Sequence, residues 1–247
     1  FSSYHALQVT LNREMRRGLV VYTNYTWSKT LANVDSSFSG DNGGRPLDTY
    51  NRKLEKSVAE LDQPHMFKGY VSYDLPFRGK GLLRTAFGGW SVSAITNYYS
   101  GRPLTFTAPT PLTGGWNGAA NRANIAAGDL KNAGFSKSNF ELSTPASANN
   151  TYLNKALFSV PAPLTLGSAA RRYTQLRGMG TVNEDIGIQK SHYFGEGWRF
   201  QFRAELLDAF NRSNLSGLNT AVNNASFGQF TGIGGNRQVQ LSARVDF

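Results

Sequence analysis

The residues that most often do chemistry in proteins are sparse in this sequence and form no recognisable catalytic pattern. The three histidines, His5, His65 and His192, lie far apart, and no pair has the spacing of a zinc-binding helix. Cysteine is absent, which excludes disulfides, thiolate chemistry and cysteine-based zinc sites. No nucleophile elbow of the form Gly-x-Ser-x-Gly occurs. We therefore expect no enzymatic activity, no cofactor and no metal, and we interpret the histidines as turn or interface residues.

Two further patterns could bind ions, and both have simpler interpretations. Acidic residues cluster in one polar stretch, at Asp48, Glu55, Glu60 and Asp62. Their spacing does not match a calcium-binding loop, so we interpret the stretch as a solvated loop. The glycine-rich runs 114–118 and 232–235 do not lie between a strand and a helix, as a phosphate-binding loop would. We interpret both runs as loop tips.

The composition favours a membrane β-barrel. Charged residues make up 17% of the 247 residues, which is below the roughly 25% of ordinary soluble domains. Aromatic residues make up 13%, and no run approaches the ~20 apolar residues that a spanning helix needs. Barrel strands escape such a scan because only every second residue is apolar. The formal charge is +10, but no nucleic-acid motif accompanies it, so we expect no nucleic-acid partner.

The last eleven residues, Arg237 to Phe247, alternate strictly between apolar and polar side chains. The apolar set is Val239, Leu241, Ala243, Val245 and Phe247. A period of two places the two sets on opposite faces of a strand. In a soluble sandwich the apolar face would be core, whereas in an outer-membrane barrel it meets lipid and an aromatic residue lies at the interface. A terminal phenylalanine after alternating apolar residues resembles the assembly signal of outer-membrane barrels.

Six more segments show the same period. They are Tyr4–Asn12, Leu19–Ser28, Met66–Leu75, Trp90–Tyr99, Asp185–Phe194 and Trp198–Phe210. The last segment, Trp198–Phe210, has four polar side chains on one face: Arg199, Gln201, Arg203 and Glu205. Arg244 of the terminal strand is their expected neighbour. We interpret these residues as a lumen-lining ladder of cross-strand charge and amide pairs, and the alternative is that they line a solute path.

The connections between the segments alternate in length. Long connections occupy residues 29–65, 100–183 and 211–236, and short ones occupy 13–18, 76–89 and 195–197. Up-and-down outer-membrane barrels have short periplasmic turns and longer extracellular loops, whereas a soluble sandwich has no reason to alternate in this way. The sequence therefore predicts an all-β, antiparallel, up-and-down transmembrane barrel segment over residues 1–247. Phe247 is then expected at the periplasmic side, and a short helix is possible within Asn51–Leu61.

The number of strands leads to a further expectation. Seven strands were found, whereas bacterial single-chain barrels have an even number and lipid does not tolerate open edges. Either an eighth strand is hidden, or the chain is the C-terminal portion of a larger barrel. The absence of an export signal and the start close to a strand favour the second alternative. We then expect a curved open sheet whose first and last strands are unpaired.

Several short motifs, taken together and in order, resemble a known family. They are residues 24–29 (NYTWSK), 61–67 (LDQPHMF), 100–105 (SGRPLT), 176–178 (LRG), 202–205 (FRAE) with 209–211 (AFN), and 227–230 (FGQF). This order resembles the C-terminal barrel portion of TonB-dependent outer-membrane receptors, specifically the Oar-like group with an N-terminal carboxypeptidase-regulatory-like domain. The resemblance implies a location in the bacterial outer membrane and a barrel of about 22 strands occluded by an N-terminal plug.

The same resemblance implies the function and the partners. The function is uptake of a scarce solute driven by the TonB energy-coupling complex, which would act through an N-terminal region that this sequence lacks. Outer-membrane lipid and the barrel-assembly machinery are the other expected partners. Two alternatives remain open at this point. One is a structural or adhesive barrel that displays the long loops, and the other is a soluble all-β binding protein.

The terminal strand provides a first test. Replacing Phe247 with serine in the full-length protein should impair assembly into the outer membrane, because the aromatic residue is part of the predicted assembly signal. The amount of heat-modifiable folded protein in isolated outer membranes measures this effect, and the solute preference of the assembled molecules should not change. Equal amounts of assembled wild-type and variant protein would contradict the prediction.

Overall fold

The computed structural model describes residues 1–34, 46–77, 81–109, 121–144, 147–194 and 197–247, except for the side chains of residues 82 and 84. The glycine-rich run 114–118 lies outside the described residues. Along the described chain the strands are β1 (Ser2–Arg16), β2 (Leu19–Ala32), β3 (Ser57–Val58), β4 (His65–Asp74), β5 (Trp90–Tyr99), β6 (Thr107–Ala108), β7 (Asn121–Arg122), β8 (Asn124–Ile125), β9 (Phe158–Ser159), β10 (Thr181–Phe194), β11 (Trp198–Leu207), β12 (Asn214–Ser216), β13 (Gly232–Gly234) and β14 (Gln238–Asp246).

Helix is rare in the described residues. One α-helix, α1 (Gly81–Phe87), precedes β5. Short 3₁₀ turns occupy Arg52–Glu55, Lys137–Asn139, Ala148–Asn150 and Lys155–Leu157. The first of these confirms the short helix expected within Asn51–Leu61, whereas α1 was not expected from the sequence.

The long strands form one antiparallel sheet in the order β1-β2-β4-β5-β10-β11-β14, with β3 paired to the end of β2. Each long strand therefore pairs with the long strands that precede and follow it in the chain, which is an up-and-down meander. The strands β1 and β14 lie at the two edges and do not pair with each other. The structure confirms the predicted seven long strands and the predicted open sheet. β1 pairs with β2 and β14 pairs with β11, and the outer edge of each is unpaired.

The pairing register separates the side chains into two faces. One row across the sheet contains Leu241, Ala204, Ile188, Val92, Tyr73 and Leu19. A neighbouring row contains Ser242, Arg203, Gln189, Ser91 and Asp74. Residues directly opposite each other in an antiparallel pair lie on the same face, so these rows define an apolar face and a polar face. The alternation seen in single segments is thus continuous across the whole sheet.

Several strand boundaries differ from the sequence-based prediction; β2 extends to Ala32, and β10 begins at Thr181 and not at Asp185. The expected turn from Arg13 to Arg17 is wrong, because β1 continues to pair with β2 and the turn is only Arg17-Gly18. Both turn residues have positive φ, 56° and 79°, which suits a two-residue hairpin between twisted strands. The strand β11 ends at Leu207 and does not reach Phe210, because Asp208 adopts a positive φ of 48°.

The connections alternate in length as predicted, with adjusted bounds. In the sequence, the connections that leave one end of the sheet span residues 33–64, 100–180 and 208–237, and those that leave the other end span 17–18, 75–89 and 195–197. Within the described residues the long connections are not structureless. They contain three two-stranded pairs, β6 with β7, β8 with β9, and β12 with β13. The run 232–235 is therefore mostly strand, and its interpretation as a loop tip was wrong.

The two faces predict opposite responses to the same substitution. Leu241 is 65% exposed on the apolar face, so Leu241→Arg should destabilise the folded protein in a bilayer by about 2–4 kcal/mol. The matched control is Gln240→Arg, because Gln240 lies on the polar face opposite Glu205. Urea unfolding in lipid vesicles measures both free energies. Equal destabilisation by the two variants would contradict the assignment of the faces.

Candidate functional site

The best-buried apolar residues of the chain lie in the long connections. The cluster of buried residues contains Phe106, Ala123, Tyr152, Leu153, Phe158, Leu176, Leu215, Phe227 and Phe230. Its aromatic rings pack at angles to one another, for example Phe106 against Phe158 at 4.8 Å and Phe158 against Phe227 at 5.0 Å between ring centroids. Such tilted and edge-to-face packing is the favoured arrangement of aromatic pairs. We refer to this cluster and the connections that supply it as the loop layer.

Backbone hydrogen bonds join the second and third long connections within the loop layer. The amide of Tyr152 donates to the carbonyl of Gly228 at 2.6 Å, and the amide of Phe230 donates to the carbonyl of Asn150 at 3.0 Å. Thr107 also forms an isolated bridge with Ala221. The bonded residues are more than 70 residues apart along the chain, so these bonds hold the two connections in a fixed mutual position.

Buried ion pairs join the first long connection to the second. Glu55 is 2% exposed, and its carboxylate lies 2.7 Å from Arg122 and 3.7 Å from Arg171. Asp62 is 1% exposed and lies 2.5 Å from Arg177. The interpretation of this acidic stretch as a solvated loop was therefore wrong for Glu55 and Asp62, whose charges are buried against arginines.

Burial alters the ionisation of these arginines. It lowers the pKa of Arg122 and of Arg171, while the Glu55 carboxylate opposes that shift in both. Burial also lowers the pKa of Arg172 to about 10. Arginine is not deprotonated in proteins at neutral pH, so these guanidinium groups are treated as charged. An uncompensated buried charge is costly, so the carboxylate of Glu55 is needed to hold Arg122 and Arg171 together.

The first long connection covers the polar face of β2 at the end of the sheet where the long connections lie. On β2 the polar-face residues Thr26, Ser28 and Ala32 are buried, whereas Trp27 between them is 56% exposed on the apolar face. Ser28 donates its hydroxyl hydrogen to the carbonyl of Gln63 at 3.1 Å. The polar side of β2 is thus capped at this end, and Trp27 on its apolar side stays exposed.

A cleft of about 540 Å³ lies where the loop layer meets the ends of β5 and β10. Its lining includes Tyr99, Arg102, Met179, Leu215, Gly217 and Phe230. The floor is formed by closely packed backbone, because a Cβ added to Gly101 would lie 1.8 Å from the carbonyl oxygen of Gly178. The cleft therefore combines aromatic and aliphatic surface with one exposed guanidinium and several backbone groups.

The predicted lumen residues share one face, as expected, but their ion pairs run along the strands. Arg203 pairs with Glu205 on β11 at 2.5 Å, and Arg244 pairs with Asp246 on β14 at 2.6 Å. Gln201 lies opposite Arg244, and Arg199 stacks over the Tyr193 ring at 5.9 Å. None of the predicted set lines the cleft described above. Their role as a lumen ladder or a solute path stays a prediction.

The predicted assembly-signal residues Val239, Leu241, Ala243 and Val245 lie on the apolar face of the edge strand β14. Phe247 stacks on Trp198 with 5.4 Å between the ring centroids, at the short-connection end of the sheet. Their role in assembly stays a prediction. His65 forms a hydrogen bond to the neighbouring strand, with 2.8 Å between its Nδ1 and the Tyr25 hydroxyl oxygen. In the described ranges, no group of three or more metal-binding side chains comes together.

An antiparallel meander with one apolar face, one polar face and all long connections at one end is the architecture of a transmembrane β-barrel. A family described as an outer membrane beta barrel domain has a sequence model that matches residues 1–240. The chain therefore belongs to this family, and its location is the bacterial outer membrane. No curated protein and no solved structure matches the chain. None of the helices in the described ranges has the length and apolar character that crossing a membrane requires.

The buried ion pairs predict a local stability difference between two glutamates. Glu55→Gln keeps the side-chain shape but leaves Arg122 and Arg171 buried without their carboxylate, so the loop layer should lose about 3–5 kcal/mol of local stability. Glu141 is the control, because it is exposed and its carboxylate accepts a hydrogen bond from Asn149 and not from a buried arginine, and Glu141→Gln should cost less than about 1 kcal/mol.

Hydrogen exchange of the amides of Phe106 and Leu153, read by mass spectrometry on the protein in vesicles, measures this local stability. The peptides of β10 and β11 serve as an internal reference for the sheet. Similar exchange rates in the two glutamine variants would contradict the role assigned to Glu55.

Proposed function

We propose that this outer-membrane barrel protein is a TonB-dependent receptor that imports a solute, and that the loop layer provides its extracellular binding surface. The observation that carries the proposal is the folded loop layer, which places a cleft where the polar face meets the long connections. A barrel that only anchors a surface structure has no need of a structured cleft at this position. The ordered motifs shared with TonB-dependent receptors support the same conclusion.

The cleft has the size and lining of a small-molecule site. Its volume of about 540 Å³ falls within the roughly 300–1,000 Å³ of ligand pockets. Leu104, Met179 and Leu218 are partly exposed and offer apolar contact. The exposed Arg102 offers a cation with several hydrogen-bond donors. We therefore propose a small amphiphilic solute, bound before it passes along the polar face of the barrel.

The proposal includes the partners that such uptake needs. Energy would come from the TonB complex, which is anchored in the inner membrane. The barrel-assembly machinery would insert the strands, and outer-membrane lipid would surround the apolar face. Neither catalysis nor nucleic-acid binding is part of the proposed function.

The proposal is tested by comparing three strains on panels of single nutrients at limiting concentration: wild type, a deletion of this gene, and a strain without TonB. The deletion should lose growth on at least one scarce nutrient, and the strain without TonB should show the same loss. Growth of the deletion strain equal to wild type on every nutrient, together with lost surface adhesion, would favour a display protein.

The cleft itself is tested with one filled variant and its control. A Cβ at Gly178 would meet no atom closer than 3.8 Å, so Gly178→Phe can fill the cleft without displacing the backbone. Uptake of the nutrient identified above should fall by an order of magnitude or more. Gly134→Phe adds the same ring at an exposed position outside the cleft, where the nearest atom lies 3.5 Å away. Equal uptake by both variants would place the binding site elsewhere.

A further inference from the structure

The short connection between β4 and β5 contains the helix α1, which lies at the end of the sheet opposite the loop layer. Two side chains of the apolar face fix its last turn. Trp90 donates its indole N–H to the carbonyl of Ala86 at 3.0 Å. Lys190 places its Nζ 2.7 Å from the carbonyl of Thr85 and 2.8 Å from that of Ala86, and it also bonds the carbonyl of Gly88 at 3.1 Å.

Trp90 and Lys190 lie directly opposite each other on β5 and β10, in the row that continues through Phe202 and Ala243. That row belongs to the apolar face, so α1 packs on the lipid-facing side of the sheet. The Lys190 ammonium also lies 4.9 Å from the Trp90 ring centroid. Its charge is therefore satisfied by helix C-terminal carbonyls and an aromatic face, at a position where an unpaired charge would be costly.

The helix α1 exposes two large apolar side chains. Leu83 is 60% exposed and Phe87 is 57% exposed. Phe77, before the helix in the chain, has its ring centroid 5.7 Å from that of Phe87 and is 42% exposed. A water-facing connection of a barrel would not be expected to present these side chains together.

This apolar surface is continuous with the aromatic residues at the same end of the apolar face. Trp90 supports the helix, and on the neighbouring strands Phe194, Trp198 and Phe247 occupy the same end. Aromatic residues at this level mark the membrane interface of outer-membrane barrels. Since the apolar face meets lipid in this family, a surface continuous with it meets lipid as well.

We infer that α1, with Phe77, is an interfacial helix that lies in the periplasmic leaflet of the outer membrane, with Leu83 and Phe87 inserted among phospholipid acyl chains. Lys190 is its positioning residue, because one side chain holds three carbonyls at the helix C-terminus. Short apolar surfaces of this kind insert to about 5–10 Å at the headgroup boundary. The helix would fix the rotation and depth of this part of the barrel relative to the leaflet.

The absence of cysteine from these 247 residues allows spin labels to be placed at single sites. The complete protein carrying Leu83→Cys is labelled with a nitroxide and reconstituted into phosphatidylethanolamine and phosphatidylglycerol vesicles. Accessibility to oxygen and to a water-soluble nickel complex then reports depth. Leu241→Cys on the apolar face and Leu61→Cys, exposed in a long connection, are the lipid and water references. Phe87→Cys is a second reporter on α1.

The inference predicts that nickel accessibility at Leu83 and Phe87 is several-fold lower than at Leu61 and close to that at Leu241. Values at both helix sites equal to those at Leu61 would overturn it.

Lys190→Met should raise the nickel accessibility at residue 83 without lowering the folded fraction. Lys68→Met is the control, since Lys68 lies on the polar face, and it should change nothing at residue 83. Unchanged accessibility in the Lys190 variant would overturn the positioning role.

Discussion

The hydrocarbon layer of a membrane offers no hydrogen-bond partner to a peptide group, and each unpaired group there costs several kcal/mol. The seven long strands satisfy this constraint by pairing with their neighbours along the whole sheet. The outer edges of β1 and β14 must likewise be paired before the sheet can lie in lipid, so closure is a condition of insertion. Every other feature of the sheet follows from the need to stay extended and paired across the bilayer.

The same constraint governs where charge occurs on the apolar face. Lys190 lies near the short-connection end and bonds three carbonyls, and Glu184 lies near the other end with Arg212 at 2.8 Å and the Tyr98 hydroxyl at 2.9 Å. Both charges are thus partnered and close to an interface, where their desolvation costs least. The polar face obeys no such restriction, and its arginines pair locally with Glu205 and Asp246.

Sequence periodicity predicted the sheet because it is a local property of each strand. The strand Trp90–Tyr99 was predicted to the residue. The predicted end of β11 at Phe210 was three residues too late, because the backbone of Asp208 turns to positive φ. The loop layer was not predictable in this way. Glu55 and its partner Arg122 are 67 residues apart, and Phe106 and Phe227 are farther apart still, with no period to connect them. The helix α1 was missed for the same reason, since Lys190, which caps it, follows about a hundred residues later.

The junction between sheet and loop layer divides the cleft into a fixed and a variable part. Its floor is backbone packed on backbone, because a Cβ at Gly180 would lie 2.5 Å from the carbonyl oxygen of Tyr99, and Gly101 is confined in the same way. Both glycines are thereby tied to the ends of β5 and β10, which the membrane keeps in register. The opposite wall, around Leu215 to Leu218, belongs to a connection held by aromatic packing and a few backbone bonds. Under the proposed function, side chains in that wall set the preferred solute without disturbing the strands, which separates the requirements of recognition from those of insertion.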